Sequence, residues 1–176
     1  MVGGGAVGLC VLQALKATGA GDVIVIDKSS AKEALAIRLG ADAFLKPSVQ
    51  EFSRIIREMT DGIGVDVAFE CVGSAAALRT AFAVTRSGGT ICLVGIFPEP
   101  FEFDFNLAIM QEQTVVSSLG YSDEFPSVIS MLSDGRLRAE PLITRTVSLE
   151  EGVEVGIKHY EASGITNVRT LIDMER

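Results

Sequence analysis

Short apolar runs alternate with segments whose apolar residues recur every three to four positions, the two periods of strands and amphipathic helices. Val7, Val11 and Leu15 fall on one helical face with Leu12 beside them, and Gly19 stands where a helix end takes positive φ. Val23-Ile24-Val25-Ile26 is a continuous β-branched run, the pattern of a strand buried on both faces. Ser30 is placed to cap a helix from Ala31 to Leu39 closed by Gly40, and Ala43 to Leu45 reads as a brief strand. Ser48 leads into Phe52, Ile55, Ile56 and Met59, a third helix that stops at Gly62-Ile63-Gly64. Val65 to Cys71 predicts a strand, Ser74 caps a helix through Val84, Gly88-Gly89 makes a turn, and Thr90 to Val94 is the next strand. Past Pro98 and Pro100 come a short helix at Asn106 to Glu112 and a strand at Thr114 to Leu119. A helix bearing Phe125, Val128, Ile129 and Leu132 then ends at Gly135.

This order predicts an α/β fold with a doubly wound parallel sheet of the Rossmann type, because parallel neighbours require crossover helices. Residues 1–140 read as that domain. Residues 141–176 read as a separate tail, with a helix around Val153, Ile157 and Tyr160 and a strand-like Val168 to Ile172 that lacks an evident sheet. The first strand is nearly absent, since only Met1 and Val2 precede Gly3, and both its neighbours are expected to show open edges.

Composition narrows the function classes. With 15 Lys plus Arg against 23 Asp plus Glu the net charge is -8, a field that repels nucleic-acid phosphates and anionic lipid. No apolar run approaches the roughly 18 residues of a membrane span. Cys10, Cys71 and Cys92 are odd in number and unlike a metal-ligand spacing, which fits reduced thiols in a cytoplasm, packed as small buried hydrophobes.

Gly3-Gly4-Gly5-Ala6-Val7-Gly8 matches G-x-G-x-x-G at the entry to a helix, where bare backbone N–H groups and the positive helix end suit a pyrophosphate. Asp27 closes the second strand at about the 20-residue spacing at which a carboxylate binds ribose hydroxyls. A ligand-free tight turn is the plain alternative for the glycines, and a helix-capping or solvated acid the alternative for Asp27. A methyltransferase would place an acid after its second strand too.

A wider set of segments resembles the zinc-dependent medium-chain alcohol dehydrogenases over nearly the whole chain. It comprises Gly3 to Gly8, Val25-Ile26-Asp27-Lys28, Leu39-Gly40-Ala41-Asp42, Gly64-Val65-Asp66-Val67, Cys71-Val72-Gly73, Gly88-Gly89-Thr90 and Leu142-Ile143-Thr144. Phe101-Glu102-Phe103 through Gly120-Tyr121, Asp134-Gly135-Arg136 and Glu140-Pro141-Leu142-Ile143 are similar to the butanediol, sorbitol and threonine dehydrogenase branch, which oxidises secondary alcohols. The resemblance implies that Gly3, Gly5, Ala6, Val7 and Gly8 form the pyrophosphate loop. It further implies that Asp27 holds the adenosine ribose, with Lys28 beside it and Lys32 assisting. By the same resemblance Val72 and Gly73 border the adenosine side, while backbone at Val94, Gly95, Ile96 and Leu119 bonds the nicotinamide carboxamide. Lys32 as a solvated helix lysine and Val94 to Ile96 as an ordinary strand end remain open alternatives.

In the resembled family a preceding domain supplies the Cys, His and Glu ligands of catalytic zinc and a four-cysteine structural site. Here His159, on the tail helix, is the one histidine, and the chain carries neither ligand set. The expectation is therefore NAD binding without turnover, with no catalytic residue and no metal ligand, in partnership with a missing catalytic domain. A non-enzymatic NAD-binding module is the alternative. Thr114 to Leu119, free of proline and charge, is expected at a sheet edge, where it would pair with a second copy in a homodimer.

Overall fold

The computed structural model describes residues 1–46, 51–158 and 167–174. Helix α1 (Ala6–Ala17) leads to strand β1 (Ile24–Ile26), a 3₁₀ turn (Ser30–Lys32), α2 (Glu33–Arg38) and β2 (Ala43–Leu45). Then follow α3 (Phe52–Met59), β3 (Val65–Glu70), α4 (Ala75–Val84), β4 (Thr85–Leu93), α5 (Asn106–Met110), β5 (Thr114–Ser117) and α6 (Phe125–Ser133). The tail carries β6 (Ile143–Ser148), a π-helical segment (Gly152–Lys158) and β7 (Arg169–Asp173).

Every strand pair is parallel, and Val2 joins β1 to β3 by bridging Ile26 on one side and Glu70 on the other. The sheet thus runs β2, β1, Val2, β3, β4, β5. The expectation of open edges is corrected along Met1 to Gly3, while beneath Met1, at the N-terminal ends of β1 and β3, a hollow separates the two strands. Gly3 N–H donates to Ile26 O and Ile26 N–H to Met1 O (both 2.8 Å), while Val2 N–H donates to Phe69 O at 2.8 Å and Cys71 N–H to Val2 O at 2.9 Å. A strand's peptide groups face its two neighbours alternately, so three residues suffice to pair with both.

Alternation in β1 divides the core. Ile24 and Ile26 face Phe52 and Ile56 of α3 and Leu78, Ala81 and Phe82 of α4, while Val23 and Val25 face Leu9 and Leu12 of α1. Each of these buried Val, Leu, Ile and Phe side chains contributes about 1.5–3 kcal/mol. The expected face of α1 needs correction, because the helix buries Gly8, Leu9, Leu12 and Gln13 while Val7 is 45% exposed. Leu12 of the expected face is buried and Val11 and Leu15 pack half-buried against the same core, so the apolar periodicity holds except at Val7. The close approach of Gly8 to Gly3 O, 1.9 Å from where a Cβ would stand, brings Leu9 to the centre of the face.

Other boundaries shift for local reasons. Ser29, not Ser30, caps the turn into α2, its side chain accepting from Ala31 N–H at 3.2 Å. Ser74 caps α4 as expected. β4 begins at Thr85 and runs through Gly88-Gly89, its register on β3 jumping from Val65↔Thr85 to Val67↔Thr90. β3 stops at Glu70 and β5 at Ser117, short of the expected Cys71 and Leu119. Cys10 is exposed, contrary to the expected burial, whereas burial pushes the Cys71 thiol up to about 12. Ser48, His159 and Tyr160 lie outside the described residues.

The tail strand does find a sheet. β7 pairs in parallel with β6, and the Thr144 hydroxyl fixes their start, accepting from Val168 N–H at 3.0 Å and donating to Asn167 Oδ1 at 2.8 Å. Leu142 and Val168 are buried with Leu9 and Leu12 of α1. Gln13, buried on α1, accepts from Arg138 N–H at 2.8 Å and donates to Arg138 O at 3.2 Å, tying the chain before the tail to the helix.

In the last turn of α1, Lys16 Nζ donates to Asp42 Oδ2 at 3.0 Å, and the same oxygen accepts from Val23 N–H at 2.6 Å. These bonds, the Val23 N–H first, hold its carboxyl below the usual carboxylate range. A depressed folded-state pKa gives stability that is present above the unfolded value of about 3.9 and lost as pH falls through the folded value. Asp42→Asn should lower the unfolding midpoint at neutral pH by about 3 °C. It should also flatten the loss of stability below about pH 4, followed by circular dichroism across acid pH.

Candidate functional site

Three glycines shape the loop between Val2 and α1, each for a different reason. Gly3 has φ +100°, and a Cβ there would sit 2.6 Å from Val72 Cγ2. Gly8 lets α1 approach the Gly3 carbonyl. At Gly5, the N-cap of α1, a Cβ would meet nothing within 4 Å, so its bare face opens on space. No side chain caps α1 and its first turn holds no acid among the described residues. Leading N–H groups and the positive helix end are thus available to an anion.

Asp27 follows β1 directly, opposite this loop. Its Oδ2 accepts from Gly4 N–H at 2.6 Å and its Oδ1 from Ser29 N–H at 2.8 Å. A carboxylate has about four acceptor positions, so two remain to take hydroxyl donors from a ligand. Asp27, Lys28, Gly3, Val72 and Ser74 share the wall of a cavity of about 360 Å³ floored by Val2, Ile26 and Phe52. Larger hollows, of about 620 and 650 Å³, lie beneath Met1 at the N-terminal ends of β1 and β3 and against Phe97 to Phe105. Ligands of open parallel sheets bind at the carboxyl ends of the strands, where the smaller cavity sits.

The remaining candidates stand at the same end of the sheet. Val72 and Gly73 follow β3, and Val94, Gly95 and Ile96 follow β4. The two loops touch, since a Cβ on Gly73 would lie 2.0 Å from Ile96 O and one on Gly95 2.3 Å from Gly73 N. Ile96 is 74% exposed, and Leu119, two residues beyond β5, is 85% exposed. Lys28 is exposed and Lys32 half-buried on the 3₁₀ turn. The structure therefore gathers Gly3, Asp27, Lys28 and Val72 round one cavity and stacks Gly73 on Ile96, while Gly5, Ala6, Val7, Gly8, Lys32, Gly73, Val94, Gly95, Ile96 and Leu119 do not line that cavity.

Sequence reasoning passed over Ser74 and Phe52, read as a cap and a core residue, and Glu70, which is wholly buried. Glu70 did leave a signal, an acid at the end of a strand expected to be covered and directly before Cys71-Val72-Gly73. Among the described residues no group of three His, Cys, Asp or Glu is placed to hold a metal ion, and no helix is long and apolar enough to cross a membrane.

Residues 6–134 match the family model of the zinc-binding dehydrogenases. The chain is 36% identical to (R,R)-butanediol dehydrogenase of Bacillus subtilis over 154 residues, covering 88% of this chain and 44% of that protein. To sorbitol dehydrogenase of Rattus norvegicus it is 32% identical, covering 86% and 43%. The solved 2R,3R-butanediol dehydrogenase of Bacillus subtilis superposes with a TM-score of 0.87 at 33% identity, over 98% of this chain and 49% of that one. Two further solved neighbours contain cofactor. An alcohol dehydrogenase from Escherichia coli CFT073 is complexed with NADH (TM-score 0.85, 27% identity, 98% and 51% covered). A zinc-binding dehydrogenase from Sinorhizobium meliloti 1021 is bound to NADP (TM-score 0.82, 25% identity, 98% and 51% covered). The chain spans about half the length of the relatives it matches. It belongs to the zinc-dependent medium-chain alcohol dehydrogenase family, of which it forms the C-terminal, cofactor-binding half.

Proposed function

We propose that this chain is the NAD-binding half of a dehydrogenase that moves a hydride between a secondary alcohol or polyol and NAD. The observation that carries the reading is Asp27, bonded to Gly4 N–H on the wall of the cavity at the carboxyl ends of the strands, with two acceptor positions to spare. Gly5, Ala6 and Val7 at the start of α1 would hold the pyrophosphate, and Asp27 the adenosine ribose with Lys28 and Lys32 nearby. Val72 and Gly73 would border the adenosine, and main chain at Val94 to Ile96 and Leu119 would orient the nicotinamide carboxamide. Bound NAD supplies the hydride acceptor. No zinc step is assigned to the described residues, and we propose that the other half of a relative-length protein holds the zinc and the alcohol.

β5 ends the sheet with all four residues exposed, which supports a homodimer through Thr114 to Leu119. Ser118 N–H donates to Leu93 O of β4, so by alternation Val116 N–H faces β4 while Val115 and Ser117 N–H face outward. Two β5 strands running antiparallel about a two-fold axis would close both edges.

Three outcomes are expected. Calorimetric titration should find NAD bound about tenfold or more tightly than NADP, because the 2′-phosphate would meet Asp27 with like charge, and Asp27→Ser should narrow the gap. Equal or tighter binding of NADP by the parent chain would overturn the assignment of Asp27. Gly5→Ala should leave the unfolding midpoint within about 2 °C yet weaken NAD binding, whereas Gly8→Ala should unfold the chain several degrees earlier. Val115→Pro removes an outward donor at the proposed interface and should shift the sedimenting species from dimer toward monomer; a parent chain that is monomeric at high micromolar concentration would end the dimer proposal.

A further inference from the structure

We infer that Glu70 is a positioning residue for nicotinamide binding, locking the loop after β3 to the loop after β4 in the spacing the cofactor needs; this rests on the function proposed above.

Glu70 is 0% exposed, and a buried carboxylate is costly unless hydrogen bonds occupy its oxygens. Here the donors all come from one loop. Oε1 accepts from Val72 N–H at 2.8 Å and Gly73 N–H at 2.9 Å, and Oε2 accepts from Gly73 N–H at 3.1 Å. The main chain of the same residue serves the other loop, since Glu70 O accepts from both Val94 N–H and Gly95 N–H at 2.9 Å. Oε2 also sits where it limits approach to Gly95, 2.8 Å from the position a Cβ would take there. One residue therefore sets both loops against each other, side chain on one and carbonyl on the other.

The consequence reaches the cofactor end of the sheet unevenly. Gly73 stacks on the Ile96 carbonyl, so a shift of Gly73 passes to the main chain that would face the carboxamide. Asp27 is held by bonds of its own, from Gly4 N–H and Ser29 N–H, while the glycine loop is shared, Gly3 N–H donating to Ile26 O on one side and Val2 O accepting from Cys71 N–H on the other. An apolar residue at 70 would leave Val72 and Gly73 N–H without this acceptor, while Gln keeps the shape and sets an NH₂ group against donors. Loss of Glu70 should therefore reach the adenosine side through Val72 and Gly73, where Asp27 still anchors the ribose by its own bonds, and add a further loss at the nicotinamide end, where Gly73 meets the Ile96 carbonyl.

The test compares NAD with ADP-ribose, which lacks only the nicotinamide, on the 176-residue chain and its Glu70→Gln variant. We expect NAD affinity to fall about tenfold and ADP-ribose affinity less than about threefold, the scale of one lost or opposed hydrogen bond. Equal losses for the two ligands would show a merely structural role, and no loss would show none; either overturns the inference while leaving the cofactor reading intact. A parent chain that binds NAD no better than background sinks both. Hydrogen exchange on the parent chain tests the lock whether or not the variant folds. Val72 and Gly73 amides should exchange as slowly as those within β3 before any ligand is added, and fast exchange there overturns the inference.

Discussion

The architecture depends on the hydrogen bonds that Met1, Val2 and Gly3 make to both neighbours at once. β1 with β2 and β3 with β4 and β5 are two separate ladders, and Val2 is the residue that bridges them. Its bridges to Ile26 and Glu70 set the relative height of the two ladders, so that Gly3, Asp27 and Val72 emerge at one level around one cavity. Sliding either ladder by one residue would exchange the inward and outward side chains of its strands and separate Asp27 from Gly4. The site is a product of register before it is a product of side-chain chemistry.

Glycine then decides how closely main chain can approach main chain. Gly3 against Val72, Gly8 against the Gly3 carbonyl, Gly73 against the Ile96 carbonyl and Gly95 against Gly73 N are all distances no Cβ could occupy. Gly5 differs, being bare beside open space. Dense packing around a single open glycine is the arrangement expected of a loop rigid enough to present its N–H groups in fixed positions. The deeply buried Glu70 extends this to the next two loops through main-chain donors alone.

The outer flank is organised differently. β5 and α6 bury no residue, and Phe125, Ile129, Leu119 and Tyr121 stand exposed. Apolar area of this extent at one end of a sheet is unusual for an isolated surface. It suits a chain that spans about half the length of its relatives and leaves room for covering partners.

Element types, the parallel α/β class, the glycine loop and the placement of Asp27 were legible because they are local. Two periods of hydrophobicity distinguish strand from helix, and a glycine motif followed by an acid has a fixed spacing along the chain. The burial of single helix residues, strand ends and shared register were not, since each depends on contacts between residues distant in sequence. Val7 at the start of α1 was left outside the core, and the tail strand Arg169–Asp173 found its partner in Ile143–Ser148. Val2 bridges both ladders because a peptide's alternate groups can serve two neighbours. Glu70 shows the division most plainly: the sequence puts an acid at the end of an apolar strand, two and three residues before the Val72 and Gly73 N–H groups that make its burial tolerable, but only the tertiary fold brings Val94 and Gly95 N–H to its carbonyl and closes the second loop over it.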